Sequence, residues 1–128
     1  MGSRRMLLTL GLAAIALAVG AATAWAATFQ TSTSFGFVQN PDGVLGDVES
    51  TGPGACEQGR TVKLFMKRRG DDRLIGSDRS NAGGQWEIDH NLQNGKRYYG
   101  KIPRKDLSGP DSCGGYRTTA LRFPSGTP

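Results

Sequence analysis

The chain has 128 residues, of which 37% are hydrophobic and 21% charged, with a formal net charge of +5. That length holds one ordinary domain and excludes a multi-lobed enzyme. A single long apolar run excludes a polytopic membrane protein, and two cysteines with one histidine are too few ligands for a structural zinc site.

The apolar residues are unevenly spread. Arg4 and Arg5 are followed by an uncharged leucine- and alanine-rich run over Leu7–Val19, then by Ala24-Trp25-Ala26. A positive start, an apolar centre and an A-x-A site are the three regions of a secretory signal. The expectation is therefore a signal peptide over residues 1–26, cut between Ala26 and Ala27, and a secreted or cell-envelope product. The alternative is an uncleaved anchor over 7–23. Ser3-Arg4-Arg5-Met6-Leu7-Leu8 also resembles a twin-arginine signal, so the export route stays open. Without residues 1–26 the chain loses two arginines and no acids, and the formal charge falls from +5 to +3. Lys67-Arg68-Arg69 is followed at once by Asp71-Asp72, which reads as a solvated turn. No dense basic stripe calls for nucleic acid.

Residues 27–40 read as a polar lead-in with a first short strand, 41–124 as a β-sandwich domain and 125–128 as a tail. Phe35 and Phe37 alternate with small residues. Asn40-Pro41-Asp42-Gly43 predicts a turn with Gly43 free to take positive φ. Val44, Gly46 and Val48 alternate with Leu45, Asp47 and Glu49, and Val62, Leu64 and Met66 alternate with Thr61, Lys63, Phe65 and Lys67. Short strands follow around Leu74-Ile75, Trp86 and Ile88, Tyr98 to Ile102, and Tyr116 to Phe123, the last with Thr119, Leu121 and Phe123 on one face. Between them lie Asn81-Ala82-Gly83-Gly84, the hairpin signal Asn94-Gly95, and an irregular loop over Pro103–Gly115. About seven strands with this turn spacing, and no sustained helical period, predict an all-β antiparallel sandwich of the immunoglobulin-like or prealbumin-like kind.

Cys56 and Cys113 both lie after the signal. In an exported chain an even count reads as a disulfide, and two cysteines allow one pairing. Closing so long a loop is worth on the order of 4 kcal/mol in the chain-entropy model.

The run Val44-Leu45-Gly46-Asp47-Val48-Glu49-Ser50, then Arg60-Thr61-Val62-Lys63-Leu64-Phe65, then Ser80-Asn81-Ala82-Gly83-Gly84-Gln85-Trp86, then Gly95-Lys96-Arg97-Tyr98-Tyr99 resembles the prealbumin-like β-sandwiches. These include transthyretin-like, carboxypeptidase regulatory-like and adhesin B-type domains. The resemblance spans about Pro41–Phe123. It implies a structural turn at Asn81, Gly84 and Trp86. The histidines and tail motif of transthyretin-like hydroxyisourate hydrolases are missing, which argues against that activity. Adhesin-type repeats often carry a Lys–Asn isopeptide bond; Lys63 and Asn81 are the residue types for it, but the disulfide does the same stapling, and none is expected.

Little else in the sequence points to chemistry. His90 lacks a framed nucleophile. Asp71, Asp72 and Asp78 do not form a calcium-loop run. Gly83-Gly84 and Gly114-Gly115 lack the Lys-Ser/Thr of a phosphate cradle. Alternation puts Trp86 and Tyr98 inward and leaves Phe65 and Tyr99 on the other face as a candidate surface aromatic pair for sugars. The expectation is a secreted, non-catalytic, disulfide-stapled module with a binding or structural role. No catalytic, cofactor or metal residues are expected. Any partner would be an extracellular polysaccharide or protein, contacted through loops such as Pro103–Gly115. The alternatives are a membrane-anchored surface module and a small secreted hydrolase.

Overall fold

The computed structural model describes residues 25–124; most of the expected signal, the alternative anchor and the tail lie outside the described residues. Among the described residues there are twelve strand segments: β1 (Thr28–Phe29), β2 (Thr31–Thr33), β3 (Gly36–Val38), β4 (Gly43–Ser50), β5 (Thr61–Met66), β6 (Arg73–Arg79), β7 (Gln85–Asp89), β8 (Arg97–Ile102), β9 (Lys105–Asp106), β10 (Ser112–Cys113), β11 (Tyr116–Arg117) and β12 (Leu121–Arg122). One turn of 3-10 helix spans Gly54–Cys56. The chain is all-β and sandwich-like.

One sheet runs β6-β5-β8, with β11 and β12 following one another along the outer edge of β8. The second is centred on β4, with β2 and β3 pairing in succession along it and β7 on its other edge. Both are antiparallel. A third, small sheet, β1-β10-β9, contains the one parallel pair among the described residues, β1 with β10. The antiparallel sandwich therefore has a parallel exception where the N-terminal strand meets the cysteine-bearing one.

Alternation explains why these segments are strands. Val44 and Val48 of β4, Val62, Leu64 and Met66 of β5, Trp86 and Ile88 of β7, and Tyr98 and Ile102 of β8 share one buried cluster, closed by Leu92 and Phe123. Phe35, Phe37 and Ile75 pack against it. Phe37 meets Phe123 and Tyr98 edge-on, at centroid distances of 5.2 and 6.2 Å, a favourable arrangement for aromatic quadrupoles.

Trp86 is seated by two devices. Its indole N–H donates to Thr33 Oγ1 at 2.8 Å, so the ring is buried without an unpaired donor. Gly46 lies across from it on β4. A Cβ there would stand 2.1 Å from the Ser34 carbonyl oxygen and 2.6 Å from the Trp86 ring, so only glycine fits. The turn leading into β7 is closed by Asn81, whose side-chain oxygen accepts from the Gly83 and Gln85 amides at 3.0 and 2.9 Å. Gly84 has φ of 85° and a carbonyl that accepts from the Val48 amide at 2.8 Å. A side chain at Gly84 would also press on the Val48 carbonyl.

Three details differ from the sequence expectations. The segment 27–40, expected to hold one short strand, carries three, β1, β2 and β3, and β1 and β2 are tied to β10 and β4. Its Thr and Ser side chains replace the apolar signal that would have marked it. The turn at 40–43 places Asn40, not Gly43, at positive φ (61°), because Gly43 is already paired in β4. Pro103–Gly115 contains the β9–β10 pair, and β10 is buried.

Gly46→Ala should lower stability by roughly 3 kcal/mol, since neither the Ser34 backbone nor the indole has room to move. Urea unfolding followed by Trp86 fluorescence would measure it. An unchanged midpoint would show that the close approach at Gly46 is dispensable.

Candidate functional site

Arg60 precedes β5 and is 1% exposed. Both terminal nitrogens of its guanidinium donate only to uncharged groups. Nη1 donates to Thr31 Oγ1 at 3.1 Å and to the Cys56 carbonyl at 2.9 Å. Nη2 donates to the Pro103 and Gly114 carbonyls, each at 2.9 Å. Burial holds its pKa below the ordinary arginine value, yet a guanidinium remains charged at any physiological pH. Its backbone is pinned as well: the Arg60 amide donates to Ser80 Oγ at 2.9 Å, and that hydroxyl donates to the Glu57 carbonyl. Cys56 and Cys113 are both fully buried and form a disulfide, with Cα atoms 5.4 Å apart and a sequence separation of 57. The covalent and the polar clasp thus hold the same loops. Lys105 adds donations to the Ala55 and Gln58 carbonyls.

A second cluster lies on the outer face of the β6-β5-β8 sheet. Phe65 and Tyr99 are register partners. Their rings stack at 5.4 Å with an interplanar angle of 14°. The Arg117 guanidinium lies over Tyr99, 4.1 Å from the ring centroid. The Tyr99 hydroxyl donates to Asp72 Oδ2 at 2.7 Å, and Arg117 Nη2 stands 4.0 Å from the same oxygen. The Tyr99 bond holds the Asp72 carboxyl below its usual pKa, with help from the Arg68 amide and the charges of Lys67 and Arg117, against some desolvation. Burial, then the bond to Asp72, pushes the Tyr99 phenol up.

This corrects one expectation. Phe65 and Tyr99 do share the outer face, but Tyr99 is only 5% exposed, covered by Arg117. Alternation gives the side of the sheet to which a residue points. It does not reveal that a neighbouring strand will lay an arginine on top. Phe65 remains half-buried.

The other residues singled out in the sequence are dispersed. Ala26 and Ala27 are exposed. His90 is exposed after β7, and its amide donates to the Asp42 carbonyl. Asp78 accepts from the Glu87 amide at 2.9 Å. No group of three His, Cys, Asp or Glu side chains converges among the described residues. Gly114 contributes its carbonyl to Arg60. Lys63 sits on the outer face of β5, whereas the Asn81 side chain is hydrogen-bonded to Gln85 in the turn before β7. A depression of about 420 Å³ lies between the edges of β6 and β7, bordered by Asp47, Asp78 and Glu87.

Arg60 and Arg117 were missed in the sequence. A signal for Arg60 existed: the inward set Val62, Leu64, Met66, extended back one step, lands on it. For Arg117, two residues of β11 carry too little pattern to show a face. No protein-family model, curated protein or solved structure matches this chain. The functional reading therefore rests on its own side chains.

Arg60→Met should cost roughly 4 kcal/mol, because it strands buried acceptors on three loops. Arg60→Lys should recover less than half, since one ammonium lacks the planar fork. Denaturant midpoints of the two variants would check this, and near-wild-type stability of Arg60→Met would refute the clasp. A depressed carboxyl stabilises the fold above its ordinary pKa and loses that as pH falls through the lower, folded value. A raised phenol stabilises below its ordinary value of 10.0 and loses that as pH rises through the higher, folded one. Asp72→Asn should therefore reduce the acid-side loss and move the Tyr99 pKa down part of the way, leaving the share due to burial. An NMR titration of the tyrosine ring carbons reads both directions; a Tyr99 curve that does not move would sink the coupling.

Proposed function

We propose that this chain is an exported, non-catalytic β-sandwich module of the prealbumin-like kind, with a binding or structural role outside the cytoplasm. The observation that carries the reading is the Cys56–Cys113 disulfide. Such bonds persist in oxidising compartments and are rare where thiols are kept reduced.

The start of the fold supports it. Ala27, the first residue after the Ala24-Trp25-Ala26 site, donates its backbone N–H to Asp111 Oδ1 at 2.9 Å. Its carbonyl accepts from the Ser112 amide, also at 2.9 Å. The hydrogen bonds of the β1-β10-β9 sheet thus begin at the residue that signal cleavage would expose. Cleavage converts that amide into an ammonium facing a carboxylate, an exposed pair worth at most about 1 kcal/mol. The prealbumin-like assignment rests on the Asn81–Trp86 turn and the strands around it. The non-catalytic reading rests on the polar groups being spent on structure: Asp72 on Tyr99, Asp78 on the Glu87 amide, Arg60 on loop carbonyls.

Intact mass of the protein recovered outside the producing cell should match a chain starting at Ala27. It should also be lighter than the reduced form by the two thiol hydrogens, with neither cysteine alkylated before reduction. A retained leader would favour the anchored alternative, and thiols that alkylate freely would overturn the export reading.

A further inference from the structure

The charges of the two sheets are sorted. β2, β3, β4 and β7 contain no Lys or Arg, and carry Asp47, Glu49, Glu87 and Asp89, all exposed. β5, β6, β8, β11 and β12 carry Lys63, Arg73, Arg79, Arg97, Lys101, Arg117 and Arg122. Their one acid, Asp78, is turned to the Glu87 amide at the sheet edge. A modest net positive charge therefore hides a molecule with a basic side and an acidic side.

The register arranges the cations in rows. Lys63 pairs with Lys101, and Lys101 with Arg117. Arg97 pairs with Arg122, and its carbonyl accepts from the Lys67 amide at 2.8 Å. Between the two rows run Leu74, Phe65 and Tyr99, register partners across β6, β5 and β8. Like charges directly opposite on neighbouring strands destabilise a sheet. The chain has eleven acids that would relieve this. The strands of this sheet carry none of them on this face, and the turn after β5 brings in Asp72, which bonds Tyr99 and stands 4.0 Å from Arg117. Among the described residues, Lys63, Lys67, Arg97, Lys101 and Arg122 form no ion pair. An arrangement that costs stability in isolation is compensated when a polyanion lies on it.

We propose, building on the export reading above, that this sheet face binds an extended anionic polysaccharide. The cation rows engage its acid groups, and the exposed flank of Phe65, backed by Tyr99, packs against sugar C–H faces. The row of Lys67, Arg97 and Arg122 borders an open depression of about 290 Å³, and an open surface suits a polymer lying across it better than an enclosed small molecule. A single accessible ring between charged rows is not the ladder of stacking platforms that single-stranded nucleic acid requires.

The test is equilibrium binding of the exported protein to polygalacturonate, with pullulan as neutral polymer and duplex DNA as competitor class. Polygalacturonate should bind, with affinity falling steeply as salt rises, and pullulan should not. The triple variant K63Q/R97Q/K101Q should weaken binding by about tenfold or more while melting at the same or a higher temperature, because repulsion is relieved. Phe65→Ala should weaken it by roughly threefold, and E49Q/E87Q on the opposite face should leave it unchanged. The proposal is overturned by no retention on polygalacturonate, by unchanged affinity in the triple variant, or by tighter binding of DNA. Self-association that the triple variant abolishes, without polymer retention, would assign the face to a second copy's acidic side instead. The mass and thiol state of the same sample show whether the export reading stands, so failure of binding in a correctly processed protein counts against this face alone.

Discussion

A guanidinium buried without a carboxylate organises one end of this molecule. Arg60 reaches the β2 hydroxyl of Thr31, the Cys56 carbonyl of the 3-10 turn, the Pro103 carbonyl after β8 and the Gly114 carbonyl after β10. These loops are distant in sequence and bring carbonyls that no strand partner satisfies. A neutral side chain would offer too few donors, and an acidic partner would need its own place in a small core. Backbone dipoles solve both problems. The disulfide crosses the same junction, so the unfolded chain is constrained by the bond and the folded one by the fork of hydrogen bonds.

That junction holds the N-terminal strand and β10 to the sandwich, and so frees the two sheets to be built from few apolar residues. The core is economical: Trp86 fills the space that Gly46 vacates, and Tyr98, Phe37 and Phe123 close the far end with edge-on contacts. With inward positions committed to packing, the outward positions of β4 and β7 and those of β5 and β8 are left to carry charge. Their segregation by sign is a property of the pairing, because a residue's row neighbours come from strands far apart in the chain.

Much of the fold was legible. Period-two alternation in β4, β5, β7 and β8 marked both the strands and their inward faces, since each is half-buried and each side chain must choose a side. The Asn81–Trp86 turn announced itself because left-handed backbone and Asx bonding restrict residue choice. The lead-in was less legible: β1 and β2 are Thr- and Ser-rich and bury Thr31 and Thr33 through hydrogen bonds, which hydropathy does not register. Tyr99 was placed on the correct face but with the wrong exposure, since its cover comes from Arg117 across a strand pairing that two residues of sequence could not announce.

The sequence by itself determined the strand pattern, the single possible cysteine pairing and a modest net charge, because each depends on local spacing or on counting. Only the tertiary structure decided that Arg60 is an internal clasp, that Arg117 shields Tyr99, and that the remaining charges part into a basic and an acidic face. Burial and electrostatic neighbourhood are set by which strands lie side by side, and strand order is a long-range property that composition averages away.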